Sequence, residues 1–190
     1  VALLGVGPDF TFLDGEGKRG VVQITNVEKV VVDGFAIVRG QGRPGPSGSP
    51  FGGILVENAR HIQITHNLIS GNIAMWYGGG ISCINVDSTV VIGNNLIVGN
   101  KIKASPWGWS TGGGGIYLGP QSRAVVHHNT LVYNEVAGEG GGILCEGASP
   151  YIYDNIIVCN TDGGIASKPA TSLSSAQAGP GPRLAHNDVW

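Results

Sequence analysis

Two short markers recur along this chain, and the distances between them allow few folds. The first is a glycine pair followed by isoleucine, ending in Gly53-Ile54, Gly80-Ile81, Gly115-Ile116, Gly142-Ile143 and Gly164-Ile165. The second is a pair of asparagines five residues apart with an apolar stretch between them. It reads Asn67-Leu68-Ile69 to Asn72, Asn95-Leu96-Ile97 to Asn100, Asn129-Thr130-Leu131 to Asn134, and Asn155-Ile156-Ile157 to Asn160. Asn187-Asp188-Val189 opens another copy, and a degenerate earlier one runs from Gly20-Val21 through Asp33-Gly34-Phe35-Ala36-Ile37. The first asparagines of successive copies are 28, 34, 26 and 32 residues apart. A unit of that length cannot bury its apolar face alone and must stack on its neighbours.

Between the markers lie alternating segments such as Ile62-Gln63-Ile64-Thr65. Alternation predicts half-buried strands, and no segment carries a helical period; each copy should hold about three strands. Glycine and asparagine corners would separate them, since these residues tolerate the left-handed region best. Stacking would place asparagine above asparagine, so that each amide bonds the next. Such a ladder satisfies buried polar groups that otherwise cost about 1–3 kcal/mol each. Composition agrees: glycine is 33 of 190 residues, against about 7% on average, and without a Gly-X-Y period collagen is excluded. A net charge of −2, from 11 Lys+Arg and 13 Asp+Glu, excludes a strongly basic nucleic-acid footprint and a polybasic membrane patch. No apolar run is long enough for a membrane span.

These repeats resemble the right-handed parallel β-helix family, the pectate-lyase-like superfamily, over essentially the whole chain. The resemblance implies an all-β solenoid over residues 1–190, with about six coils of three short strands each, roughly 29 Å long. It also implies an extracellular or cell-surface setting. The family includes polysaccharide lyases, polygalacturonases and pectin esterases, so acidic polysaccharide is the substrate class it implies. Polygalacturonases carry an Asn-Thr-Asp motif, matched by Asn160-Thr161-Asp162-Gly163. Their following Asp-Asp pair, Gly-His-Gly and Arg-Ile-Lys are absent, and Asn160 is already a repeat marker. Calcium-dependent lyases need clustered acids beside a base, and no acid column adjoins Arg123, Lys168 or Arg183. No Gly-x-Ser-x-Gly occurs, and His127-His128 has no evident nucleophile.

In a solenoid, equivalent residues of successive copies form columns. Val56, Cys83, Leu118, Cys145 and Ser167 form one, predicted to point inward; Ile64, Ile92, Val126, Ile152 and Leu184 form another. Cys83 and Cys145 would lie two coils apart, about 9–10 Å, too far for a disulfide. All three cysteines, Cys159 included, read as buried free thiols. Leu55, Ser82, Tyr117, Leu144 and Ala166 should point outward as a rather apolar face, suited to a lateral interface. His66, Asn94, His128, Asp154 and His186 precede the first asparagines, and His128, Asp154 and His186 on consecutive coils could hold a metal or form a hydrogen-bonded surface ladder. A proline-rich insertion, 168–182, could displace the last coil.

Variable loops at 73–78, 101–112, 135–140 and 161–162 should emerge from one edge. They carry Trp76, Tyr77, Trp107 and Trp109, which could stack on sugar rings, anchor a protein partner, or fold down as a satellite core. The same edge carries Glu135, Glu139 and Asp162. Glu139 and Asp162 are candidates for paired acid/base chemistry or calcium, and otherwise are solvated charges. No other cofactor is expected.

The segment 1–6 is apolar without an initiating Met or a cationic region, and the end reads as the start of a strand. The chain therefore reads as part of a longer polypeptide or assembly. Open coil ends need covering, by a flanking β-helix or another copy, and head-to-tail contact would build filaments. The leading expectation is a non-catalytic extracellular β-helix domain with a structural, surface or self-assembly role. The alternative is a carbohydrate-binding module or a polysaccharide lyase or hydrolase.

Overall fold

The computed structural model describes residues 1–42, 51–103, 112–170 and 179–190. Short strands recur and pair in parallel with their counterparts one coil away, building three long sheets of seven, seven and six strands among the described residues. The first sheet contains Ala2–Leu4, Glu28–Asp33, Arg60–Thr65, Val91–Gly93, Val125–His127, Tyr151–Tyr153 and Arg183–Ala185. The second contains Phe12–Asp14, Ala36–Val38, Leu68–Ser70, Leu96–Val98, Thr130–Val132, Ile156–Val158 and Asp188–Val189. The third contains Val22–Thr25, Ile54–Glu57, Ile81–Ile84, Ile116–Leu118, Ile143–Glu146 and Ile165–Lys168. The chain visits the three sheets in turn, about six circuits of a parallel β-solenoid.

The predicted columns are the observed registers. Ile64 aligns with Ile92, Ile92 with Val126, Val126 with Ile152, and Ile152 with Leu184. Val56, Cys83, Leu118, Cys145 and Ser167 align likewise. The inward residues of the central coils are fully buried, among them Ile37, Ile69, Ile97, Leu131 and Ile157 of the second sheet. Each contributes about 1.5–3 kcal/mol by leaving water. Leu184 and Ser167, in the last strands, are exposed.

Two asparagine ladders run through the stack. Asn67 Nδ2 donates to Asn95 Oδ1 (3.1 Å), Asn95 to Asn129 (3.0 Å), Asn129 to Asn155 (3.0 Å) and Asn155 to Asn187 (2.9 Å). The second ladder runs from Asn72 to Asn100, Asn134 and Asn160 at 3.0, 3.0 and 2.9 Å. Each oxygen also accepts the backbone N–H of the asparagine one coil before it, and each Nδ2 also donates to a carbonyl on that coil, as Asn100 does to Ile69 at 2.8 Å. In the degenerate copy the backbone N–H groups of Phe35 and Gly40 donate to Asn67 and Asn72. Despite the 168–182 insertion, Asn187 stays in the ladder, so the last coil is not displaced.

The corners bear out the expectation in part. Left-handed residues precede the ladder positions: His66, Asn94, His128, Asp154 and His186 before the first asparagine, Gly71, Gly99, Tyr133 and Cys159 before the second, and Arg39 before Gly40 of the degenerate copy, with φ between 48° and 62°. At the corner after the third sheet asparagine itself is left-handed, at Asn26, Asn58 and Asn85 (φ 55, 50 and 50). The glycine before each marker isoleucine is required for space instead. A Cβ on Gly80 would lie 2.7 Å from the Gly115 carbonyl oxygen, and one on Gly115 would lie 2.7 Å from that of Gly142. Neighbouring coils approach too closely there for any side chain.

Candidate functional site

The variable loops leave one edge, between the second and third sheets, and stack on one another. Ile73–Ala74 pairs with Lys101–Ile102, and isolated bridges join Lys101 to Glu135, Tyr77 to Gly112, and Gly112 to Glu139. Ala74, Ile102 and Val136 form a small second core beneath them, and Glu135 pairs with Lys101 at 2.6 Å. The described parts of these loops, Tyr77 and Gly112 among them, cover the outer side of the third sheet. Leu55, Ser82, Tyr117 and Leu144 alternate outward as expected, yet all four are buried. The predicted lateral interface is therefore replaced by an intramolecular layer. The Tyr77 ring stacks on Tyr117 with centroids 4.3 Å apart, and Gly112 lies against Leu144, where a Cβ would strike the leucine.

Under this layer sits a charged group that linear motifs did not reveal. Glu146, 3% exposed, is aligned with Lys168 on the next coil. Lys168 Nζ lies 3.9 Å from Glu146 Oε2 and 3.8 Å from Glu139 Oε2. The Tyr117 hydroxyl donates to Glu146 at 3.3 Å. Burial first, then the Glu146 charge, push the Tyr117 phenol far above its ordinary range, so it stays a neutral donor. Tyr77 is shifted the same way by the same causes. A sequence signal existed: Glu146 and Lys168 each follow a marker isoleucine by three residues.

Beside Tyr77, the outer side of the third sheet opens into a cleft of about 230 Å³ lined by Gln23, Phe51, Leu55, Glu57, Tyr77, Ser82 and Ile84. It combines an aromatic wall with amide, carboxylate and hydroxyl groups, the mixture that fixes and orients a polar ring. Trp76 is half-buried on the same loop. Trp107 and Trp109 lie outside the described residues. Glu139 reaches Lys168, while Asp162 is exposed in a left-handed corner (φ 53) and its carbonyl accepts the Gly140 N–H. In the motif Asn160-Thr161-Asp162, Asn160 ends a ladder and Thr161 Oγ1 accepts the Val136 N–H at 2.8 Å.

The family is decided by the same repeats. A family model for the right-handed β-helix region matches residues 17–175. The chain belongs to the right-handed β-helix family. No curated protein matches it, and no solved structure does.

Elsewhere on the β-helix, polar side chains gather at two places. The corner after the third sheet forms an open groove of about 500 Å³, lined by Asn58, Arg60, Asn85, Asp87, Gln121 and Arg123 among others. Along the first sheet, His66 and Thr65 both contact Asp33 Oδ2 at 2.7 Å. Thr65, and behind it His66, hold the Asp33 carboxyl below the usual carboxylate range. Farther along, Asp154 lies between two imidazoles, 3.8 Å from His128 Nε2 and 3.5 Å from His186 Nδ1. Those distances suit ion pairing when the histidines are protonated. Among the described residues no three His, Cys, Asp or Glu side chains converge as a metal site. Cys83 and Cys145 are buried free thiols, pushed by burial up to about 12. Cys159 is exposed, contrary to expectation. Its side chain follows the corner column, which the core does not enclose.

Proposed function

We propose that this chain is a non-catalytic, extracellular β-helix domain with a surface role, a rigid frame whose third sheet offers a saccharide-binding cleft. The observation that carries this reading is the cleft beside Tyr77, where an aromatic ring and the polar groups of Gln23, Glu57 and Ser82 border one opening. Stacking on an aromatic face with flanking hydrogen bonds is how a sugar ring is recognised. A binding role also fits Glu139, whose carboxylate is engaged by Lys168.

The test is affinity electrophoresis and calorimetry against neutral and acidic oligosaccharides. The expected result is binding that is lost in Tyr77→Ala and weakened in Gln23→Ala. Absence of binding across the panel, or binding indifferent to Tyr77→Ala, would overturn the reading.

A second reading, self-assembly, is favoured by the apolar side chains exposed on the outer coils: Leu4, Val6, Phe10 and Phe12 at one end, Leu184, Val189 and Trp190 at the other. Such surfaces are covered by another β-helix segment or another copy. Light scattering against concentration, with micrographs of the same samples, tests it. Ordered oligomers support it, and a strict monomer at high concentration refutes it.

A further inference from the structure

Two neighbouring imidazoles on the first sheet are arranged as a chelate. In an extended strand, consecutive side chains point to opposite faces, so His127 and His128 should diverge. His128 instead occupies a left-handed corner, φ 53, which swings its ring to the side of His127. The two Nδ1 atoms lie 2.8 Å apart. That contact requires at most one of them to carry a hydrogen, so at least one lone pair is directed into the gap between them. Two nitrogens bound about 2.0–2.1 Å from one ion, at angles between square and tetrahedral, stand about 2.9–3.4 Å apart. A slight opening of the pair admits the ion.

The ring of His127 is held from both sides. On one face it lies over Gly93, one coil earlier, where a Cβ would sit 2.9 Å from Cε1 and 3.0 Å from Nε2. On the other it stacks on Tyr153, with centroids 5.2 Å apart and planes within 10°. His128 has a carboxylate on its far side, Asp154 Oδ2, 3.8 Å from Nε2. A carboxylate there favours the tautomer with the proton on Nε2 and the lone pair on Nδ1, the outer-shell arrangement that orients metal-binding histidines.

We propose that His127 and His128 bind one divalent, imidazole-preferring transition-metal ion through their Nδ1 atoms, with Asp154 as the partner of His128. Water or an acidic group of a second ligand completes the coordination, because the protein supplies two donors. Imidazole donors select zinc, nickel or copper over magnesium and calcium. The inference is independent of the saccharide cleft, which lies on the third sheet.

The test is zinc titration of the full chain, followed by calorimetry and native mass spectrometry, with magnesium as control. A Cys159→Ser background removes the exposed thiol as a competing ligand. The expected result is one zinc per chain, lost in His127→Ala and in His128→Ala and weakened about ten- to hundredfold in Asp154→Asn. Gly93→Ala, which displaces the His127 ring, weakens it too. On the chain with both histidines intact, nitrogen NMR should show zinc shifting Nδ1 of His127 and His128 while Nε2 stays protonated, a readout that does not depend on the variants folding. No saturable zinc uptake, uptake retained in either histidine variant, or zinc shifts confined to other histidines would overturn the proposal.

Discussion

Replacing Asn100 by alanine removes one rung from the middle of the second ladder. The side chain is fully buried. Its oxygen accepts from the Asn72 backbone N–H at 3.1 Å and from Asn72 Nδ2 at 3.0 Å. Its nitrogen donates to Ile69 O at 2.8 Å and to Asn134 Oδ1 at 3.0 Å. Not every partner is orphaned, because Asn72 Nδ2 still reaches Ile37 O and Asn134 Oδ1 still accepts the backbone N–H of residue 100. The Asn72 N–H and one amide hydrogen lose their acceptor with no water to replace it, at about 1–3 kcal/mol each. Adding the small cavity, Asn100→Ala should cost roughly 3–5 kcal/mol. That is a large share of an ordinary domain's stability. Asn187→Ala removes an analogous rung in the last coil, where the side chain is partly exposed. Water can replace its bonds, so the cost should be about 1 kcal/mol. Equilibrium urea unfolding followed by circular dichroism measures both. Equal costs, or less than about 1 kcal/mol for Asn100→Ala, would refute the argument that the buried ladder is structural.

Three further outcomes are expected. In the native protein a thiol reagent at mildly alkaline pH should modify Cys159 alone, with Cys83 and Cys145 reacting after denaturation; mass spectrometry counts the adducts. Tyr133→Gly and Cys159→Gly relieve left-handed strain at exposed corners (φ 54 for both). Each should stabilise by about 0.5–1 kcal/mol after the backbone entropy of glycine is deducted, read as a raised unfolding midpoint. Asp33 and His127 should act in different pH windows. The depressed Asp33 pKa gives stability that is full above the ordinary carboxylate value of about 4 and lost as pH falls through the folded value. His127, also depressed, binds its proton more readily when unfolded. Stability therefore declines as pH drops below about 6.5, until the folded value is passed. His127→Gln should flatten that upper window, and Asp33→Asn the lower one, in stability measured against pH.

Most of the fold was legible because the repeat fixes the register. Once Ile54, Ile81, Ile116 and Ile143 are aligned, the core columns follow by counting in twos, and the asparagines fall one above another. The corners are legible only in part, because glycine is ambiguous in sequence. Gly80 is required by the Gly115 carbonyl, whereas Gly78 has positive φ (63), and composition cannot separate the two demands. The outer column Leu55, Ser82, Tyr117, Leu144 points outward as the repeat predicts, yet it is buried and not free surface. Repeat arithmetic says where a loop leaves and not where it returns, so the covering of Tyr117 by Tyr77 was not legible. The Glu146–Lys168 pair was within reach of column reading. The His127–His128 pair was not, because alternation sends neighbours apart until a left-handed corner brings them together.

The central claim is that consecutive copies stack in this register. Side-chain amide NMR of asparagine-labelled protein tests it most directly. Through-space contacts should run from Asn67 through Asn95, Asn129 and Asn155 to Asn187, and from Asn72 through Asn100 and Asn134 to Asn160, with slow exchange at the central rungs. Contacts between the two asparagines of one copy, with rapid exchange throughout, would contradict the stacking and every site built on it.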